Sequence, residues 1–189
     1  MKLILASSSP RRRELLTSIG MTPDQIMSPD VDESPLKGEG VREYVKRIAI
    51  LKARAVHGQV SDAYVVAADT VVEMGGKIVL KAKDREDALS IIHRLSGRRH
   101  KVYTGVCVLS PQEKEACKIV LTRLTLKRLT TQEIEDYLHS KEWEDKAGAF
   151  SIQGRGGKFV KFLSGSYTNV LGLPLYETDC LLKGVGFCV

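Results

Sequence analysis

The stretch Leu3-Ile4-Leu5-Ala6-Ser7-Ser8-Ser9-Pro10-Arg11-Arg12-Arg13-Glu14-Leu15-Leu16 reads as a short buried strand, a hydroxyl-rich turn and the opening of a helix. Ser9 is a good N-cap and Pro10 suits the first helical position, where an N–H would have no intrahelical acceptor. Such a helix start exposes backbone N–H groups and the positive end of the helix dipole, and anions bind there. Arg11, Arg12 and Arg13 oppose that dipole, so they make sense mainly with an anion between them and the helix end. The competing readings are a solvated basic face or a Ser-Pro-Arg-Arg modification or nuclear address. Placement directly after a strand, where the fold dictates geometry, argues against both. The hydroxyls of Ser7 and Ser9 and the guanidiniums of Arg11 and Arg12 are therefore candidate substrate-binding groups.

The 189 residues are 43% hydrophobic, enough for one sizeable core or two small lobes. A formal charge of +6 suits nucleic acid, and equally a pocket for a small polyanion such as a nucleotide. Aromatics at 6%, with one tryptophan, are thin for base stacking, and no basic tail or reading motif appears, so no nucleic-acid partner is expected. Cys107, Cys117, Cys180 and Cys188 show no CxxC spacing and no nearby histidine, which argues for reduced thiols rather than a zinc site or a disulfide framework. The apolar run Leu3 to Ala6 is too short for a signal peptide or a membrane span, so the expectation is a soluble, cytoplasmic protein with no membrane partner.

Beyond the first helix, Met21 to Pro35 reads as a strand and a polar loop carrying Asp32 and Glu33. Val41 to His57 is an amphipathic helix whose stripe runs Val41, Tyr44, Val45, Ile48, Leu51, Ala55, with Lys52 one turn after Ile48. Lys52 either snorkels from the stripe's edge or aims its ammonium into a cleft. Ala63 to Val72 is a strand buried on both faces, and Asp69 is its one ionisable interruption. A carboxylate there is costly unless paired or metal-bound, unless Asp69 merely ends the strand. Gly75-Gly76 turns the chain into a hairpin strand, Lys77 to Leu80. A two-residue turn sets Lys81 opposite Thr70, a three-residue loop sets it opposite Asp69, and either register brings an acid and a base to one point.

Asp84 caps a helix to Leu95 with Ala88, Leu89, Ile92 and Leu95 inward, and Gly97 stops it. Val102 to Leu109 and Lys118 to Leu129 read as strands, and Thr130 or Thr131 caps a helix with Ile134, Tyr137 and Leu138 inward. Asp145 to Gly156 has glycines where backbone would approach a ligand, and Gln153 supplies an amide able to read a base edge. Ser166 to Pro174 leads into the last helix. The four histidines form no metal or triad pattern, and neither a GxxxxGK[ST] nor a GxGxxG loop occurs.

Arg11, Arg12, Glu33, Lys52, Asp69 and Lys81 combine four cations with two acids and no activated nucleophile, which suits phosphoryl or nucleotidyl chemistry with water as the attacker. A divalent ion on Glu33 or Asp69 could bridge phosphate oxygens, and Asp69 could orient or deprotonate the water.

The chain resembles the Maf (septum-formation inhibitor) family of nucleoside triphosphate pyrophosphatases from Leu3 to about Leu182. The resemblance rests on Leu5-Ala6-Ser7-Ser8-Ser9-Pro10-Arg11-Arg12, Lys52-Ala53, Ala68-Asp69-Thr70, Leu95-Ser96-Gly97 with His100, Asp145-Lys146-Ala147-Gly148-Ala149, Ile152-Gln153-Gly154 and Gly172-Leu173-Pro174. It implies an α/β fold, a mixed twisted sheet flanked by helices, as one domain over residues 1–189 with two lobes around a deep nucleotide-binding cleft. It also implies hydrolysis of a nucleoside triphosphate to the monophosphate and pyrophosphate, a divalent metal cofactor (Mg²⁺ or Mn²⁺), a cytoplasmic setting and a homodimer. By the same resemblance Asp69 is the catalytic acid or base, and Arg12, Glu33, Lys52 and Lys81 are phosphate or metal contacts. Substrate choice falls to Arg11, Thr70 and Gln153, a trio similar to the branch acting on dTTP and UTP. A 7-methyl-GTP pyrophosphatase of the sister branch and a nucleotide-sensing division regulator without turnover are the alternatives. One departure is Ala82, where the family usually has a proline that would stiffen the loop of Lys81.

Overall fold

The structure, a computed structural model, describes residues 1–188. Its elements run β1 (Lys2–Ala6), α1 (Pro10–Ser18), β2 (Gln25–Met27), α2 (Val41–His57), β3 (Ala63–Met74), β4 (Lys77–Val79), α3 (Arg85–Leu95), β5 (Arg99–Leu109), β6 (Glu115–Leu126), α4 (Thr131–His139), a 3₁₀ turn (Gly154–Phe159), β7 (Val160–Ser164), α5 (Tyr167–Leu171) and α6 (Leu175–Gly184). The seven strands form one mixed sheet in the order β2-β1-β3-β5-β6-β7, with β4 also on β3. β1 pairs in parallel with β2 and β3, whereas β3 with β4 and β6 with β7 are antiparallel. No helix among the described residues is long and apolar enough to cross a membrane.

The chain divides into two compact units, and it passes between them within β3, β5 and β6 and again directly after α5. The first unit comprises Met1–Asp69, Thr104–Val120 and Gly172–Val189. Strand alternation sorts its core into two faces. Leu3, Leu5, Val66, Ala68, Val106 and Val108 pack with Leu16 of α1 and Leu182 of α6. Ile4, Ala6, Ala63, Val65, Ala67, Cys107 and Leu109 pack with Ala49, Ala53 and Val56 of α2. Odd-numbered residues of β3 thus face α2, and the next odd residue is Asp69.

The α2 stripe differs in phase from the sequence expectation. The buried residues are Tyr44, Val45, Ile48, Ala49, Lys52, Ala53 and Val56, while Leu51 is 37% exposed and Val41 and Ala55 are only partly covered. Small alanines face inward because α2 lies directly on β5. A Cβ at Gly105 would sit 2.2 Å from the Val45 carbonyl oxygen.

The second unit comprises Thr70–Tyr103 and Leu121–Leu171. Asp84 caps α3 by accepting from the Asp87 N–H (2.8 Å), and Thr130 and Glu133 close a reciprocal capping box at α4. Ala88, Ile92 and Leu95 pack with Ile134, Tyr137, Leu138, Leu124, Leu126, Phe150 and Phe159. β6 starts earlier and stops earlier than expected, at Leu126 rather than Leu129, because Lys127 N turns to the Phe159 carbonyl. β7 and α5 were not anticipated from the sequence; α5 is a five-residue turn held through Asn169, whose Nδ2 donates to Val102 O and Thr122 Oγ1.

His100 is 2% exposed, edge-on to Phe150 with ring centroids 6.3 Å apart, and neither ring nitrogen has a hydrogen-bond partner. It is a packing residue of the second unit, in keeping with the absence of a histidine metal or triad pattern. Burial pulls its pKa from 6.5 down to about 4. The unfolded chain therefore binds the extra proton between those values, so stability is full above pH 6.5 and is lost as pH falls towards 4. At about 1.4 kcal/mol per pKa unit the loss reaches roughly 3 kcal/mol. Denaturant midpoints measured from pH 7 to pH 4 check this: His100→Phe removes that part of the slope, and an unchanged slope refutes the assignment.

Candidate active site

The N-terminal turn is built as expected in outline and differently in detail. Pro10 occupies the first helical position and Ser9 the N-cap, but the Ser9 hydroxyl makes no cap bond. Buried Ser7 organises the turn instead: its Oγ accepts from Ser9 N (3.2 Å) and from Arg12 Nη1 (3.0 Å). Arg12 Nε donates to the Gly172 carbonyl (2.8 Å), so the Gly172-Leu173-Pro174 segment fixes the guanidinium from 160 residues away. Gly172 exposes that carbonyl from a left-handed conformation, φ +109°. Burial lowers the Arg12 pKa, the charges of Asp69 and Glu33 raise it, and Arg11 lowers it. Arg11, Arg12, Asp69 and Glu33 thus share one electrostatic neighbourhood.

Asp69 does not end its strand; it sits inside β3 and is 6% exposed. It faces α2, where Lys52 lies within the buried stripe at 7% exposure. Lys52 Nζ donates to Asp69 Oδ1 at 2.7 Å and lies 3.0 Å from Glu33 Oε1, on a side chain that is 51% exposed. One ammonium thus joins the two acids. Asp69 Oδ2 is buried and has no hydrogen-bond partner. Glu73, the other buried acid of β3, is fully engaged: Oε1 accepts from Gly76 N (2.7 Å) and Oε2 meets Lys101 Nζ (2.8 Å). A buried carboxylate oxygen left unmatched is expensive, so it calls for an explanation, and a catalytic role is one.

Sequence reasoning missed Tyr44. Its hydroxyl donates to the Glu33 carbonyl (2.9 Å), and Arg47 adds a bond to Ser34 O (3.0 Å) while stacking on the Tyr44 ring. Together they hold the loop that delivers Glu33. Burial and the nearby Asp69 and Glu33 charges push the Tyr44 pKa up to about 12, so it remains a neutral donor. A tyrosine on an apolar stripe gives no sequence signal for this; only its partner does.

The remaining candidates lie in the second unit. Gly75 and Gly76 form a two-residue turn with both φ positive, and Val72 pairs with Val79, which selects the first of the two registers. That ladder stops at Val79, and Lys81 bridges to Ala147 instead of continuing opposite Thr70. The exposed Lys81 therefore has a tethered backbone without the family's proline, and Ala82 packs against the unit's core. Thr70 follows Asp69 directly on β3. Gln153 is exposed and precedes the 3₁₀ turn, which Glu142 anchors by accepting from Arg155 N at 2.8 Å. Two glycines of this segment are required by packing. A Cβ at Gly148 would strike the Val72 side chain at 2.8 Å, and one at Gly156 the Ser151 carbonyl at 2.0 Å.

An α/β protein that gathers arginines at a helix start beside a buried lysine–carboxylate pair, with one acid oxygen unmatched, belongs to the class built to hold and act on a polyanion. The comparisons narrow this: the chain belongs to the Maf-like protein family, whose model matches residues 2–185. It is similar to a dTTP/UTP pyrophosphatase of Agrobacterium fabrum, 50% identical over 98% of this chain and 93% of that protein. The same name belongs to relatives in Rhizobium johnstonii (50% identical, 100% and 94%) and Sphingopyxis alaskensis (50%, 97% and 96%). Among solved structures, a Staphylococcus aureus Ham1 protein aligns over 67% of this chain and 72% of that chain, at 18% identity and a TM-score of 0.48.

Proposed function

We propose that this protein hydrolyses nucleoside triphosphates, dTTP and UTP by preference, to the monophosphate and pyrophosphate. Water attacks the α-phosphorus, the bond from that phosphorus to the α,β-bridging oxygen breaks, and pyrophosphate leaves. The single observation that carries this reading is the buried Lys52–Asp69 pair with the unmatched Asp69 Oδ2. Lys52 engages the carboxylate through Oδ1, which leaves Oδ2 to take the water's proton. Arg11 and Arg12 neutralise the phosphates, and the electrostatic strain between them is what a polyanion relieves. The names of the relatives support the pyrimidine preference.

The donor set also suits Mg²⁺ or Mn²⁺. Hard divalent ions take one or two carboxylates plus substrate oxygens, and Asp69 with Glu33, joined on one ammonium, supply the two carboxylates. When bound, the ion withdraws charge from the phosphate oxygens. In this reading Lys81 is a further phosphate contact, Ser7 and Ser9 line the phosphate turn, and Arg11, Thr70 and Gln153 choose the base. We infer a cytoplasmic setting from the same family membership.

Pyrophosphate release from dTTP, UTP, CTP, ITP and 7-methyl-GTP, with Mg²⁺ or Mn²⁺, tests the proposal. The expected order puts dTTP and UTP first, and Gln153→Ala cuts that preference about tenfold, the worth of one good hydrogen-bonding side chain. Hydrolysis confined to 7-methyl-GTP overturns the specificity, and no turnover of any nucleotide overturns the activity.

A further inference from the structure

Outside that site, Cys107, Glu115 and Cys117 are the one group of three candidate ligand side chains that lie together among the described residues. Ser110 N donates to Lys114 O (3.1 Å) at the turn between β5 and β6, and this hairpin register carries inward to set Cys107 across from Cys117. Their sulfurs are 2.8 Å apart and share a hydrogen bond. Directly opposed residues on antiparallel strands have Cα atoms about 4.5–5.5 Å apart, inside the range a disulfide spans. We propose that Cys107 and Cys117 are a thiol-oxidation site that closes to an intramolecular disulfide when a hydroperoxide is present.

The environment separates the roles of the two sulfurs. Cys107 is fully buried under α2, in the cluster that holds Ala49 and Ala53 on either side of Lys52, whereas Cys117 is half-buried. The shared hydrogen bond lowers the Cys117 pKa, with Lys46 and Arg54 adding to it, and pushes that of Cys107 up. Cys117, half-buried where Cys107 is fully covered, is the sulfur a peroxide reaches and therefore the attacking group. Its sulfur attacks the outer peroxide oxygen, the O–O bond breaks, and water or an alcohol leaves with a proton, giving the sulfenic acid. The Cys107 thiol then displaces hydroxide from that sulfur, which leaves as water with the thiol's proton. The dithiol loses two electrons and two protons, and the peroxide is reduced by two electrons. A metal at this cluster fits less well. Two thiolates on tetrahedral zinc sit about 3.7 Å apart, given bonds of about 2.3 Å, and Glu115 is already paired with Arg54 at 2.8 Å.

The test uses the full chain in a Cys180→Ser, Cys188→Ser background, since those two thiols are exposed. Treatment with equimolar hydrogen peroxide is expected to remove both remaining thiols, lower the mass by two hydrogens and yield a crosslinked peptide joining residues 107 and 117, reversed by dithiothreitol. In the same background, Cys107→Ser stops the reaction at a sulfenic acid on Cys117 that a dimedone probe traps. Retention of both free thiols, or a mixed disulfide between molecules in place of the internal link, overturns the proposal. So does zinc held through gel filtration that protects the thiols from peroxide.

Discussion

Asp69→Asn lowers pyrophosphate release at least a hundredfold while nucleotide binding persists. The substitution is nearly isosteric. Its amide oxygen can still accept from Lys52 Nζ in the place of Oδ1, and its NH₂ replaces Oδ2, the atom that has no partner in the native protein. What disappears is the basicity of that atom and one negative charge. General-base catalysis supplies about 10²–10⁴ in rate, which sets the size of the loss. Removing one member of a buried ion pair ordinarily costs 3–5 kcal/mol, but Lys52 keeps Glu33 at 3.0 Å, so the stability cost is expected below about 3 kcal/mol. Denaturant midpoints and nucleotide affinity measured beside the rate separate the effects. A variant that is folded, binds nucleotide and releases pyrophosphate within tenfold of the native rate removes Asp69 from the chemistry. A division phenotype that survives the loss of turnover assigns the regulatory role to binding alone.

Asp69 was legible in the sequence because a lone acid in an apolar run must be explained, but its partner was not: hairpin register set Lys81 beside it, and the cation that pairs with it is Lys52, brought over from α2. The N-terminal arginines were legible because they contradict the helix dipole. The phase of α2 was not. Leu51 looked inward because it is large and apolar, yet the face toward the sheet runs through Ala49, Ala53 and Val56, with small alanines where α2 lies closest to β5. Hydrophobic periodicity counts apolar residues and carries no measure of how close two backbones come. Tyr44, the Gly172 carbonyl that fixes Arg12, and the Cys107–Cys117 pair share a different obscurity. Each depends on a partner brought in by sheet or loop topology, so spacing along the chain says nothing of it. Lys81 and Thr70 were named from the hairpin register and Gln153 from its amide, and family resemblance added their roles. The hairpin narrows one of them: the Gly75-Gly76 turn selects its register, and the bridge to Ala147 then takes Lys81 out of the ladder that register extends.

Close approach also yields the largest structural effect. Gly105→Ala puts a Cβ 2.2 Å from the Val45 carbonyl oxygen, 2.6 Å from its carbon and 3.1 Å from Lys46 N. These are helix backbone atoms, so no side chain can rotate away; α2 or β5 must move by about an ångström. Overpacking of this kind costs about 3 kcal/mol, which for a chain of this length is a melting-temperature drop of roughly 6–12 °C. The movement also reaches the site, because Val45 and Lys52 lie two turns apart on the same buried face of α2. A misplacement of about 1 Å in a positioned group can cost about 10² in rate, so kcat should fall well beyond the loss of folded protein. Gly58→Ala is the matched control. It sits at the other end of α2 in right-handed geometry, φ −66°, with its added Cβ 3.5 Å from the Arg54 carbonyl, an ordinary contact. There the change is expected to be neutral or to stabilise by up to about 1 kcal/mol through the unfolded chain. A Gly105→Ala melting temperature within about 2 °C of native would mean that α2 does not rest on β5. The burial of Lys52 would then need another cause.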